Sequence, residues 1–233
     1  MTEFWSAIAG ALVGGALTAL TQLLSFRWQE RRERARRREK EARDHKEHLT
    51  RQATLAFSIL AKMNRGFTAI TQVRDVLGAA DQLVRETGME LANAARPIAT
   101  DPDRFSFTLD EMILVRDIAR DEWINPFMNL PHVVDGYIAN MAVFRRQKAE
   151  INSMAEVGHI GPDGRAFTGI PKAKEFKYKL LLREAEVLLA SMRDTIGPDY
   201  VTTNNLFHDL HAAFQDRFGS ARMKVSFEVD RID

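Results

Sequence analysis

The sequence has no cysteine, which excludes a disulfide framework, a thiolate metal site and a cysteine nucleophile. That absence fits a reducing compartment. Tyrosine is confined to Tyr137, Tyr178 and Tyr200, and no Asn/Gln, Ser/Gly or Pro tract marks a low-complexity tail. Neither sign of charge dominates: 33 Lys+Arg stand against 32 Asp+Glu, so the whole chain has no strong field and any imbalance is local.

Catalytic signatures are missing too. Gly158-x-x-Gly161 and Asp163-Gly164 lack the preceding strand and the immediately following helix that a phosphate-binding loop requires. His208 and His211 are spaced i,i+3 beside Asp209, whereas a zinc-protease helix needs histidines at i and i+4 with a glutamate beside the first. His132 and Asp135 have the same short spacing beside a proline. These histidines read as surface or capping groups. No paired carboxylate stands out, so the sequence assigns no catalytic, cofactor-binding or metal-ligating residue, and the chain reads as a non-enzyme without a cofactor. A membrane-tethered enzyme built on residues 158–171 and the histidines is the weakest of three functional readings.

What the sequence does have is one long stretch without charge. Phe4 to Phe26 contains no Asp, Glu, Lys or Arg. At a rise of 1.5 Å per residue it reaches about 35 Å, enough to cross a hydrocarbon core of about 30 Å with some tilt. Only a helix or a closed barrel satisfies its backbone polar groups in lipid, so a single such stretch is a helix. A cleaved secretory signal carries positive charge before its apolar core. Here the chain opens Met-Thr-Glu and the positive charge lies wholly beyond Phe26, which predicts an uncleaved anchor over residues 1–28. Trp5 and Trp28 bracket it, as interfacial aromatics do.

Arg27, Arg31, Arg32, Arg34, Arg36, Arg37 and Arg38 follow. The positive-inside rule puts this side in the cytoplasm: an inner-membrane protein, single-pass, with its N-terminal side outside. The cluster also suits anionic headgroups, each charge near the surface contributing on the order of 1 kcal/mol. Glu interleaves at nearly every turn, and a stripe that tracks nucleic-acid phosphates should not carry so many acids; nucleic acid is therefore disfavoured as a partner. Glu30–Arg34, Glu33–Arg37 and Glu39–Arg43 are i,i+4 pairs in the favourable order, which predicts a charged helical stalk over 29–48, continuous with the span.

Within the span, Ala7, Gly10, Ala11, Gly14 and Thr18 form a small-residue face. Such faces let helix backbones approach closely in lipid, and the expectation is a homo-oligomer assembled through them. Thr18, Thr21, Gln22 and Ser25 are the polar positions of the span.

From Leu49 the pattern turns apolar at alternating steps of four and three: Leu49, Ala53, Ala56, Leu60, Met63, Phe67, Ile70 and Leu77, with Arg74 the exception. That period marks helix packing against helix. The helix should end near Gly88. Thr108-x-x-Glu111 is a capping box that opens a helix at about residue 109. Asn125-Pro126 and Pro131 predict a kink or break, and Gly158–Pro171 a long loop turning at Pro162-Asp163-Gly164. Residues 173–196 form a helix with Tyr178, Leu181, Ala185, Leu188, Met192 and Ile196 inward, stopped by Gly197-Pro198; a last helix covers about 203–218 and stops at Gly219. Val225, Phe227 and Val229 alternate with polar residues as a short C-terminal strand.

The predicted fold class is therefore all-α: an N-terminal single-pass transmembrane helix, a stalk, and a cytoplasmic helical domain over 49–233. The leading function is a membrane-anchored scaffold or receptor-like module that self-associates through its span and binds an unidentified protein partner at the cytoplasmic face. The alternative is an oligomeric membrane effector, pore- or lesion-forming, triggered by clustering of the cytoplasmic domain.

Overall fold

The computed structural model describes residues 2–160, 166–219 and 223, with side chains described outside 2–24, 157–160 and 166–168. In chain order the elements are helix α1 (Thr2–Thr87), the single turn α2 (Leu91–Ala94), α3 (Leu109–Ile118), α4 (Asp121–Met154), strands β1 (Glu156–Ile160) and β2 (Ala166–Gly169), a 3-10 turn (Lys172–Lys174) and α5 (Glu175–Phe218). The fold is all-α with one small hairpin. The chain divides into two compact units, Met1–Gln52 and Ala53–Asp233.

The second unit is built on the end of α1 together with α4 and α5. Phe67 and Arg74 both meet Tyr200, while Asp81 meets Arg193; α5 therefore runs antiparallel to this part of α1. Tyr137 meets Thr195 and Glu150 meets Lys177, so α4 is antiparallel to α5 as well. Leu60, Met63, Phe67 and Ile70 are buried at the centre, with Ile59, Val73 and Leu77; Leu49 is half-buried. Each such large apolar side chain contributes roughly 1.5–3 kcal/mol on burial.

Local stop and start signals act as expected. Gly88 (φ 72°) ends α1 and Gly219 (φ 89°) ends α5, both in conformations that a Cβ disfavours. Thr108 caps α3 with a complete capping box to Glu111.

Three expectations are corrected. Helix α4 runs through both Pro126 and Pro131, and the break falls earlier, at the extended residues Ala119 and Arg120. A proline inside a helix removes one hydrogen bond and costs about 3 kcal/mol, but Phe127, Leu130, Val134, Ile138, Met141 and Phe144 are all buried from this helix, and their burial outweighs that loss. For the same reason α5 passes Gly197-Pro198 without stopping, since Met192, Ile196, Tyr200 and Phe207 are buried on both sides of it. Its inward face holds Ala185, Met192 and Ile196 as expected, with Leu182 and Leu189 buried beside them where Leu181 and Leu188 are only half-buried. Third, the described part of 158–171 is largely a hairpin rather than a loop. Antiparallel β1 and β2 pair from Glu156–Gly169 to Ile160–Ala166, with a bulge between Val157 and His159. The turn at Pro162-Asp163-Gly164 and the strand at Val225–Val229 lie outside the described residues.

One close approach was not foreseen. A Cβ on Gly66 would come within 2.9 Å of the Phe105 ring and 3.3 Å of Val134, so glycine is what lets the 105 segment and α4 approach α1 here.

Candidate functional site

The basic cluster lies on α1, and Arg27, Arg31, Arg32, Arg34, Arg36, Arg37 and Arg38 are all exposed. Seven arginines stand against Glu30 and Glu33 in this stretch, so its surface is strongly cationic. Arg34 pairs with Glu30, and the Arg32 guanidinium lies 5.6 Å from the Trp28 ring. Phe26 and Trp28 are 70% and 63% exposed: aromatic rings followed directly by a cationic surface, the order found at a lipid headgroup boundary.

The small-residue face (Ala7, Gly10, Ala11, Gly14 and Thr18) belongs to residues whose backbone is helical but whose side chains lie outside the description. The same holds for all but the last two residues of the charge-free stretch. Among the described residues, no helix is long and apolar enough to cross a membrane.

In the second unit, the polar groups drawn inward bind one element to another. Glu111 is 2% exposed. Its carboxylate accepts from Lys62 Nζ, Ser58 Oγ and the Thr108 N–H, each at 2.7 Å. Burial pushes this carboxyl up, but the Lys62 ammonium, the Thr108 N–H and the Ser58 hydroxyl together hold it below its ordinary value. The capping box was legible; the two α1 side chains that complete it were not.

Tyr137 donates to Asp199 Oδ2 at 2.7 Å and lies 2.9 Å from Thr195 Oγ1. Burial, with the Asp199 charge, raises its hydroxyl well above the usual range. Lys148 donates to the Ala92 and Asn93 carbonyls, while Glu186 accepts from the Ala92 N–H; together they tie the backbone of the four-residue helix α2 to α4 and α5. Burial lowers the Lys148 ammonium, opposed by the Glu186 charge.

Among the described residues the histidines are not gathered into a metal-holding group. His211 is buried, and its Nε2 donates to the Met223 carbonyl oxygen at 3.0 Å, fastening Met223 onto α5. Among the described residues no group of three or more His, Asp or Glu is placed to hold a metal ion. An open groove of about 540 Å³ lies beside the end of α1, with Val76, Ala79 and Leu83 as its apolar floor and Asp75, Glu86 and Arg96 among its polar lining. It holds no nucleophile with an adjacent base. No family model matches this chain, and neither a curated protein nor a solved structure matches it.

Proposed function

We propose that this chain is a membrane-anchored helical interaction module, held at the inner membrane by residues 4–26 with the domain that follows in the cytoplasm. The observation that carries the reading is the junction at Phe26–Arg38, where a stretch without charge meets exposed aromatic rings and then seven exposed arginines. That order sets orientation by the positive-inside rule and favours anionic headgroups. Self-association through Ala7, Gly10, Ala11, Gly14 and Thr18 brings copies together, and the second unit, whose inward polar groups bind its own elements, presents a partner-binding surface rather than a reaction centre.

A second reading, an oligomeric pore or lesion, draws on Thr18, Thr21, Gln22 and Ser25 in the same stretch. Both readings require self-association, so Gly14→Leu should reduce oligomers in detergent, because a large side chain holds backbones apart. Only the pore requires the polar positions to meet water. Dye release from liposomes by the wild-type protein, abolished by Thr18→Val, Thr21→Val and Gln22→Leu together, would replace the module with the pore. No release, with oligomers that Gly14→Leu disrupts, supports the module.

A further inference from the structure

We propose that the outer face of α5 is a seam on which a second copy of this chain packs antiparallel. Directly opposite the buried face, Phe176, Leu180, Val187 and Val201 are exposed by 81%, 47%, 64% and 37%. Soluble surfaces rarely line up large apolar side chains along one helix.

These four belong to a longer register. Phe176, Leu180, Arg183, Val187, Ala190, Asp194, Gly197 and Val201 follow alternating steps of four and three, the spacing of a helix that pairs along its length. Helix α5 thus has two faces: one packs into the domain and the other carries the seam.

The order of charge and size selects the occupant. In a parallel, in-register pair, Arg183 would face Arg183 and Asp194 would face Asp194, a like-charge contact that disfavours the arrangement. Reversing the partner about a point between Leu188 and Leu189 sets Arg183 opposite Asp194, twice by symmetry. The same reversal places Leu180 against Gly197, Val187 against Ala190 and Phe176 against Val201, so each larger side chain meets a smaller one. A Cβ at Gly197 would meet nothing within 4 Å, leaving room for the partner's Leu180. Arg183 makes no ion pair among the described residues, and Asp194 meets only its neighbour Arg193, at 3.8 Å and well exposed. The seam is its own complement when reversed, which is what a two-fold contact between identical chains requires.

This inference rests on α5 alone and is independent of whether residues 4–26 span a membrane.

The natural absence of cysteine makes the register directly measurable on the full-length chain in detergent. Leu180→Cys and Gly197→Cys proteins carrying different tags are mixed and oxidised. The mixed 180–197 dimer is expected, while Leu180→Cys alone gives none, because its two sulfurs would lie about 25 Å apart along the seam at 1.5 Å per residue. Adding Arg183→Asp to both proteins should lower the mixed yield about ten-fold or more, and adding Asp194→Arg as well should restore it. Circular dichroism of each variant confirms an unchanged helix content. Cross-linking of Leu180→Cys with itself, absence of the mixed dimer, or a yield indifferent to the charge exchange would each overturn the proposal.

Discussion

The guanidinium of Arg74 lies 3.8 Å from the centre of the Tyr200 ring. Arg74 is the one charged residue in the apolar seam of α1, and this contact explains it: the cation rests on the Tyr200 ring, whose centre lies 5.0 Å from that of Phe67. Arg74→Ala should cost about 1–2 kcal/mol. Tyr200→Phe, which keeps a ring, should cost less than Tyr200→Ala, at about 3–5 kcal/mol. Urea denaturation of residues 50–233, after circular dichroism has shown that this fragment is helical, gives the three values. A loss for Arg74→Ala no greater than for an exposed arginine such as Arg116 would show that the contact contributes nothing.

Lys62 and Glu111 make a second, more buried pair, and it confers a pH dependence. The folded carboxyl of Glu111 sits below its ordinary value of 4.5, so its contribution to stability is fully present above about pH 4.5 and is lost as the pH falls through the lower folded value. Wild-type stability should therefore decline more steeply below that pH than the stability of Glu111→Gln. At neutral pH, Lys62→Met leaves a buried carboxylate without its cation and should cost about 3–5 kcal/mol. Parallel pH profiles for wild type and Glu111→Gln would refute this account of the pair.

Gly66 and Gly78 make a matched test of packing on α1. Alanine is favoured over glycine in a helix by roughly 1 kcal/mol. Nothing lies within 4 Å of a Cβ at position 78, so Gly78→Ala should stabilise by close to that amount. At position 66 the Phe105 ring must shift from 2.9 Å, so Gly66→Ala should gain little or nothing, and Gly66→Leu should destabilise by several kcal/mol. Equal gains from the two alanine substitutions, read from thermal midpoints, would mean that the approach of Phe105 is not tight.

The contrast among these residues explains what could be read from the sequence. Signals that act within one turn were legible: Thr108 with Glu111, Gly88, Gly219 and the 3.5-residue period from Ala53 to Leu77. Pro126, Pro131 and Pro198 were misread because their local cost is real but is overcome by buried side chains supplied from elsewhere, information that no local pattern contains. The hairpin was missed because strands of five and four residues carry too little alternation to stand out. The inward polar clusters join residues far apart in the chain (Lys62 with Glu111, Tyr137 with Asp199, Lys148 with Ala92), and only the fold brings them together. The seam on α5 was hidden for a related reason: its period could be read only once the opposite face was known to be buried.

The anchoring of the chain is tested most directly by thiol labelling in intact cells, again using the cysteine-free background. Single variants Thr2→Cys and Ala42→Cys stand on either side of the charge-free stretch. With a membrane-impermeant maleimide, Thr2→Cys should label in intact cells and Ala42→Cys only after permeabilisation, as an outside N-terminal segment and an inside arginine run require. Labelling of Ala42→Cys in intact cells with Thr2→Cys protected, or protection of both until lysis, would contradict the anchored, inward-facing module.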